Sequence, residues 1–349
     1  MGFYETHWSN PLLEFNCYDH FPADLAVAWD NLVERCHANG PFLYYRYQQL
    51  WWETRGGGEW PQAELALITA TEDGRLVGIA PLFHTPNHQG QPRLLLVGSV
   101  EVSDYLDLIV APPDLPAFSA GLLPFLKTLA LPAWENIDLY NILETSPSLP
   151  ALQAAGAAQG WQSGLSQAYH CPHILMPGDW DTYLAGIDKK QRHEIRRKMR
   201  RLQESDIPNR WYTVQDESSL DQEIDAFFEL MEQDEDKVRF LTPLMRQFMR
   251  ANFHWAFKQG FLFMAFLEIN GQKAAGYLAY DYLNRLWVYN SGIRRSFNEY
   301  SPGWVLLGDI LKWCNETKRD AFDFMRGDED YKYRFGAVDR FVMRLTLTP

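Results

Sequence analysis

The sequence predicts an α/β (α+β) fold of two similar units, each with a mixed sheet flanked by helices. The first observation is a doubled order of elements, in which a hairpin is followed by a strand, a helix and another strand. The second is a pair of tight-turn signals, Asp73-Gly74 and Asn270-Gly271, that each separate two β-rich runs. The third is the length of 349 residues, which is long for one compact domain and comfortable for two.

The predicted elements of the two halves correspond one to one. In the first half they are the hairpin runs 65–70 and 75–84, the strand 93–98, the helix 116–129 and the strand 136–141. In the second half they are the hairpin runs 261–269 and 272–282, the strand 286–290, the helix 302–317 and the strand 321–326. Although the sequence identity between the halves is weak, the shared order predicts one unit over residues 1–175 and another over 176–349.

The densest basic stretch of the chain, residues 188–202, lies between the halves. Ile195, Met199 and Leu202 recur at helical spacing, so we expect a helix over 188–205 with a narrow apolar seam. Its charged face is either a solvated linker or a surface that binds an anionic substrate or membrane. Under the second interpretation, Arg196 and Arg197 are candidate substrate-binding residues.

Composition excludes several classes of protein. The formal net charge of −13 argues against general nucleic-acid binding, because no excess of cations is available to displace counterions. The four cysteines stand far apart without metal-ligand spacing, so we expect no metal and a reduced, cytoplasmic environment. Neither a signal peptide nor an apolar run of membrane-spanning length is visible. The oligomeric state is not indicated.

The most informative segment is 323–336, where an apolar strand runs into a concentration of charge. Tyr331, Tyr333 and Phe335 alternate there with two cations, and the alternation predicts extended backbone. Burying charges is costly unless they pair or act, so the segment is either an ion-paired strand end or a functional site. The charged residues are Arg326, Asp328, Glu329, Asp330, Lys332 and Arg334.

This segment, together with 188–198 and Tyr300-Ser-Pro-Gly-Trp-Val-Leu-Leu307, resembles the BioF2-like, or CelD-like, acetyltransferase family of the GNAT superfamily. These proteins are relatives of the Fem aminoacyltransferases. The resemblance spans nearly the whole chain and implies a tandem GNAT-like fold with mixed sheets flanked by helices. It also implies transfer of an acyl group from an acyl-CoA, such as acetyl-CoA, to an amine. The acceptor would be a small molecule or a sugar, cell-envelope or polysaccharide precursor.

Two alternatives remain beside this prediction. One is the Fem-like use of an aminoacyl-tRNA as donor. The other is a catalytically silent GNAT-like module that binds a partner or serves as a scaffold.

The resemblance also implies roles for residues near the C-terminus. Lys332 matches a lysine that in Fem relatives is linked to stabilising the reacting acyl carbonyl. Its alternative role is an ion pair with Asp328 or Glu329. The general base is not evident, and Asp323, Asp328, Glu329 and Tyr331 are the candidates. Arg326 is a candidate for substrate binding, and Asp104-Tyr105 matches an Asp-Tyr motif expected at the acceptor site.

The donor site departs from the pattern of the superfamily. GNAT enzymes typically hold the CoA pyrophosphate on a Gln/Arg-x-x-Gly-x-Gly/Ala loop, and Ser301-Pro302-Gly303-Trp304 stands in its place here. The segment still reads as a helix start, with Ser301 as cap and Gly303 allowing a ligand to approach the backbone. The helix dipole and free N–H groups favour a phosphate there, and Arg294 and Arg295 add charge. A well-capped structural helix is the alternative.

Overall fold

The computed structural model describes residues 8–10, 13–86 and 90–349. The chain forms two compact units, one ending at Tyr169 and completed by Phe341–Pro349, the other spanning His170–Arg340. These units differ from the predicted 1–175 and 176–349 because the last strand of the chain pairs within the sheet of the first unit. Within the described residues, no helix combines the length and the hydrophobicity needed to cross a bilayer.

The first unit contains short runs of strands and helices along the chain. Its elements, in order, are β1 Trp8–Asn10, β2 Leu13–Tyr18, α1 Ala26–Val33, α2 Tyr45–Gly58, β3 Glu64–Glu72, β4 Arg75–Pro86, β5 Pro92–Leu96, β6 Ile109–Val110, α3 Leu115–Thr128, β7 Asn136–Leu143, α4 Ser148–Ala158 and β8 Gln162–His170. Over the described residues, the strand order of its sheet is β1-β2-β3-β4-β5-β7-β15-β8, where β15 is Phe341–Thr348 and β6 pairs with β4.

The second unit holds the remaining elements. They are β9 His173–Leu175, α5 Trp180–Gly186, α6 Lys189–Gln203, β10 Asn209–Thr213, α7 Leu220–Met231, α8 Glu235–Phe240, α9 Pro243–Lys258, β11 Leu262–Ile269, β12 Gln272–Tyr282, β13 Arg285–Ile293, α10 Pro302–Glu316, β14 Ala321–Asp323 and α11 Asp330–Arg334. Its sheet has the order β10-β11-β12-β13-β14-β9. A 3-10 turn, Arg295–Tyr300, precedes α10.

The doubled order of elements is confirmed in the two sheets. Each contains an antiparallel hairpin, β3–β4 or β11–β12, and each has one parallel pair bridged by a helix, β5–β7 or β13–β14. Both predicted hairpin turns have positive φ at their two central residues: 49° and 77° at Asp73-Gly74, and 50° and 71° at Asn270-Gly271. Asn and Asp tolerate this left-handed conformation and Gly adopts it without a Cβ penalty, which explains the turn chemistry.

The predicted basic helix is α6, and its apolar seam packs on α10. Ile195 and Leu202 are buried, and the Met199 side chain lies against Gly308 of α10. Asp188 caps the helix, because its carboxylate accepts hydrogen bonds from the backbone N–H groups of Lys190 and Gln191. The α10 helix in turn buries Leu306, Ile310 and Leu311 in the core that covers one face of the sheet.

One local prediction was wrong. The alternating residues that follow the last strand were expected to be extended, but Asp330–Arg334 form the short helix α11. The strand itself, predicted over 321–326, ends at Asp323. The chain turns there because Met325 has a positive φ of 53° and Gly327 one of 111°. Alternation of aromatic and charged residues over five positions does not separate a strand from one turn of helix.

Candidate functional site

The second sheet opens between its two parallel strands. The first three residues of β13, Arg285–Trp287, pair with β14, and beyond this point β13 continues for six residues. The chain after β14 turns to the opposite side, where Phe324 N–H donates to Pro172 and Gly327 N–H donates to His170. Tyr289 is an extra residue that bulges β13 against β12, at the start of the opening. The far half of β13 therefore faces a gap.

A surface cavity of about 260 Å³ lies along the outer part of this strand. Ser291, Gly292 and Ile293 of β13 form one wall, and the 3-10 turn contributes Arg295 and Asn298. The end of α7 and the start of α8 form the other wall, with Leu230, Met231, Gln233, Asp234 and Lys237. The lining combines an apolar floor with two cations and one carboxylate, a composition typical of small-molecule sites.

Lys237 places an ammonium group at the open edge of β13. Its Nζ donates to the main-chain carbonyl of Ser291, which is a strand-edge acceptor within the opening. Burial lowers the pKa of Lys237, and the nearby carboxylates of Asp234 and Glu329 oppose that shift. The side chain is held by α8, which Asp234 caps by accepting from the N–H groups of Asp236 and Lys237.

The start of α10 adjoins the cavity but differs from its predicted chemistry. Ser301 is the N-cap residue in a left-handed conformation, with φ 52°, and its side chain makes no capping hydrogen bond. A Cβ on Gly303 would lie 2.6 Å from Cδ1 of Ile293, so the close approach at this glycine is to a side chain of β13. Gly303 therefore lets α10 pack against the end of β13. Trp304 lies between Lys198, 3.7 Å from its ring centroid, and Phe335.

The two predicted donor-site arginines have different surroundings. Arg294 donates from Nε to the Lys273 carbonyl and lies 3.6 Å from a Glu229 carboxylate oxygen, so it ties β13 to its neighbours. Arg295 lines the cavity, is exposed, and forms no ion pair in the part of the chain that the structure describes. Of these two arginines, Arg295 is therefore the one that lines the cavity, where its charge interacts with the carboxylate of Asp234.

Lys332 is buried inside the loop that follows β14. Only 3% of the residue is exposed, and Nζ donates to the carbonyls of Arg326 at 3.0 Å and Gly327 at 2.9 Å, with Phe324 at 3.4 Å. The same Nζ lies 2.8 Å from Oε2 of Glu329. An ammonium has three N–H donors, so these oxygens occupy it fully. The ion pair with Glu329 is the structural alternative that the sequence left open.

Two other candidate residues, Lys332 and Tyr331, lie close to the carboxylate of Glu329. Its side chain is 59% exposed and adjoins Lys332. The pKa of Tyr331 is raised by burial and by the Glu329 charge, and Tyr331 is hydrogen-bonded to the buried Tyr277 of β12. Asp328 is exposed and forms no ion pair among the described residues, so no contact ties its carboxylate to Glu329, Tyr331 or Lys332.

The remaining candidates are distributed over both units. Arg326 lies in the loop closed by Lys332 and supplies a carbonyl to that lysine. Asp104 and the buried Tyr105 belong to the first unit, in the loop between β5 and β6. Arg196 pairs with Asp181 at 3.1 Å and Arg197 with Glu194 at 2.8 Å, both on the exposed surface of the second unit.

Sequence reasoning missed the cavity residues Lys237, Ser291 and Asn298. Lys237 stands in the run Asp234-Glu-Asp-Lys-Val-Arg, which reads as an ordinary solvated helix start. The capping carboxylate Asp234 is the available signal, because it fixes where the helix begins and so where the lysine points. No local pattern indicates that the helix lies against an open strand edge.

Comparison with known proteins agrees with this architecture. The family model described as "Acetyltransferase (GNAT) domain" matches residues 189–333, all within the second unit. No protein among the curated sequences matches the chain significantly.

Three solved structures share the fold across nearly the whole chain. FemX has a TM-score of 0.62 with 12% identity, covering 91% of this chain and 95% of its own. A conserved protein of unknown function from Bacteroides thetaiotaomicron has a TM-score of 0.60 with 12% identity, covering 96% and 100%. L-PGS from Bacillus licheniformis has a TM-score of 0.54 with 12% identity, covering 95% and 93%. At these identities the likeness is one of fold.

Proposed function

We propose that this chain, whose second unit matches the GNAT domain model and whose fold resembles that of FemX, is a two-unit member of the GNAT superfamily, and that its second unit transfers an acyl group from an acyl-CoA to an amine. The observation that carries the proposal is the opening beside β13. An extended donor could lie along this unpaired outer part of β13. At Ser291 the carbonyl already accepts from Lys237 and the N–H already donates to the Asn290 side chain. The cavity at the same edge supplies an apolar floor and cationic groups for such a donor.

The phosphate end of the donor would lie at the 3-10 turn and the start of α10. Arg295 and Asn298 provide side-chain donors there, and the positive end of the α10 dipole faces the same region. Within α10, Trp304 and Val305 N–H groups already donate to the Ser301 carbonyl, which leaves the Gly303 N–H for a ligand. Ser301, Trp304 and Arg294 would then shape the site through packing and backbone geometry.

The acceptor side is proposed from the charges that adjoin the opening. Glu329 is the best-placed carboxylate to take a proton from an acceptor amine, because it is exposed and adjoins the tyrosine pair; Asp328 is the alternative. Arg326, Asp104, Tyr105, Arg196 and Arg197 remain proposed acceptor contacts. The acceptor class is a small molecule or glycan precursor, and assignment to the BioF2-like or CelD-like branch likewise remains a prediction.

A binding module without catalysis is the second candidate, and the geometry of Lys332 favours it. The ammonium that the family resemblance assigns to the reacting carbonyl is fully occupied by three backbone carbonyls and Glu329. Under this alternative the second unit binds a CoA-like ligand or another anion and releases no thiol from it. An aminoacyl-tRNA donor remains a third route, and the net charge of −13 weighs against it.

Donor binding is tested by thermal unfolding with acetyl-CoA, succinyl-CoA, octanoyl-CoA, free CoA and a charged tRNA. We expect at least one acyl-CoA to raise Tm, because a ligand that binds only the native state stabilises it. Replacing Arg295 with Gln should weaken that binding about tenfold, the effect of losing one charge-assisted contact. Arg210→Gln is the matched control, because it also replaces an exposed arginine. Arg210 lies on the edge strand β10 and pairs with Glu268 of β11.

The outcomes separate the candidates. Stabilisation by acyl-CoA with thiol release on addition of an amine supports the enzyme, whereas stabilisation without thiol release supports the binding module. If no CoA compound shifts Tm and charged tRNA does, the donor assignment is wrong.

A further inference from the structure

Among the residues that the structure describes, Lys237 presents its ammonium to the open edge of β13, whereas the ammonium of Lys332 is enclosed by the loop after β14. We propose that Lys237 contacts the carbonyl oxygen of the bound acyl donor and stabilises the charge that develops on it during transfer. This inference rests on the proposed function and adds a catalytic residue to it. Lys332, the lysine expected from the sequence, then acts by holding the loop after β14.

The position of Lys237 follows from the strand edge. The donor's phosphate end is placed at Arg295, Asn298 and the start of α10, so its acyl end must lie farther back along β13. Ser291 stands on that inner side, and its carbonyl accepts from Nζ of Lys237. Lys237 and Ser291 line the cavity, and Ser291 lies four residues beyond Trp287, where the pairing with Asp323 ends. We therefore place the acyl group beside this ammonium.

The hydrogen-bonding capacity of the two ammonium groups separates their roles. Within the described residues, Nζ of Lys237 donates to one acceptor, the Ser291 carbonyl. Two N–H donors therefore remain for a ligand oxygen. For Lys332, three carbonyls and Glu329 leave no donor for a ligand. A reacting carbonyl at Lys332 would have to displace a buried ion pair and loop hydrogen bonds together.

During transfer, negative charge develops on the carbonyl oxygen of the thioester, which we place within reach of the Lys237 ammonium. The acceptor amine's lone pair forms a bond to the thioester carbon, and the C=O π pair moves to the oxygen. Lys237 donates an N–H hydrogen bond to that oxyanion. The oxyanion's electron pair then re-forms the C=O bond while the C–S bond breaks and its electron pair leaves with sulfur. The proton lost from the amine is transferred to the thiolate, giving an amide and a thiol. A fixed cation beside the oxyanion acts mainly in the transition state.

The test measures thiol release from the acyl-CoA that stabilises the protein, with hydroxylamine as the nucleophile and the uncatalysed rate subtracted. Lys237→Met should lower kcat about 100-fold, with donor affinity changed less than threefold. Lys237→Arg should recover part of the loss because it keeps a cation. Lys273→Met is the matched control: Lys273 is a partly buried lysine on β12 of the second sheet, and it pairs with Glu223 at 2.8 Å. Melting curves establish that each variant is folded.

The pH profile distinguishes a contact from a structural role. Asp234 and Glu329 face Lys237 and Arg295 lines the same cavity, but burial is the largest influence and lowers the lysine pKa below 10.5. The parent rate should therefore fall as the pH rises through that lowered pKa, where the ammonium loses its charge. Lys237→Arg should show no such fall, because arginine stays protonated.

Two results would overturn the inference. If acyl-CoA binds and folded Lys237→Met releases thiol at the parent rate, Lys237 is not the carbonyl contact and the proposed function stands. If no acyl-CoA binds to the parent, both proposals fail.

Discussion

At the scale of the residue, Lys332 shows how one buried charge organises a loop. Its ammonium joins the carbonyls of Phe324, Arg326 and Gly327, so it replaces the hydrogen bonds that a regular strand would have provided after β14. Backbone carbonyls buried without a partner are costly, which explains why a cation fills this turn. The side chain that sequence reasoning placed in the chemistry thus first satisfies the fold.

We predict that Lys332→Met lowers the unfolding free energy by about 2–4 kcal/mol. The substitution keeps the apolar stem, removes the ammonium and leaves the loop carbonyls and Glu329 without their partner. Urea titration followed by circular dichroism measures the change. Lys312→Met is the control, because the exposed Lys312 pairs with Glu316 on the surface at 3.8 Å, and it should change stability by less than about 1 kcal/mol. Equal stability of the two variants would show that the loop does not depend on Lys332.

At the scale of the element, the end of α7 is pressed against β13. A Cβ built on Gly292 would lie 2.6 Å from the backbone carbonyl carbon of Leu230 and 2.8 Å from the backbone nitrogen of Met231. Both contacts are to main-chain atoms, which cannot rotate away as a side-chain end can. The close approach also places Leu230 and Met231 in the cavity wall, so the packing of α7 on β13 shapes the proposed donor site.

Gly292→Ala should therefore destabilise the protein by about 1–3 kcal/mol, the usual cost of overpacking. Gly186→Ala is the matched control, because a Cβ at Gly186 meets nothing within 4 Å and its backbone is not left-handed. We expect that control to stay within about 0.5 kcal/mol of the parent. Chemical denaturation of both variants measures the difference. A Gly292→Ala protein as stable as the parent would mean that α7 shifts freely on the sheet.

At the scale of the whole molecule, the last strand of the chain belongs to the first unit. In that sheet β15 lies between β7 and β8, and Arg344 pairs with the buried Asp138 of β7 at 2.7 Å. In the second unit, the first and last residues of the segment pair with each other. Cys171 N–H donates to the Arg340 carbonyl at 2.8 Å, and His173 pairs with Val338. The first unit therefore needs a strand from the far end of the chain to complete its sheet, whereas the second unit is formed by one continuous segment.

We predict that the excised segment 170–340 folds cooperatively and retains acyl-CoA binding, because its sheet and core are complete. The segment 1–169 should not fold alone, since its sheet would lack β15 and Asp138 would lose one of two arginine partners. Joining 341–349 to it through a flexible linker should restore cooperative unfolding. Thermal denaturation of the three proteins is the measurement, and cooperative unfolding of 1–169 without the graft would contradict the prediction.

The sequence by itself determined the hairpin, strand, helix and strand that recur in each half, their order, and the basic helix between them. These features are local, because turn chemistry and periodicity act over a few residues. They are the hairpin turns at Asp73-Gly74 and Asn270-Gly271, the apolar seam of α6 and the helix at 302–316. The same local signals identified the segment 323–336 as unusual. They could not decide whether its charged residues form structural ion pairs or a functional site, since both require the same residue types.

The tertiary structure alone decided which charged groups reach the opening beside β13. Lys332 and Lys237 are both cations in charged stretches of sequence. Their difference arises because one is enclosed by its own loop while α8 carries the other to an open strand edge. The return of β15 to the first sheet was equally hidden, because strand pairing across more than 150 residues leaves no periodic trace in the chain. Long-range packing fixes these positions, and local propensity does not encode it.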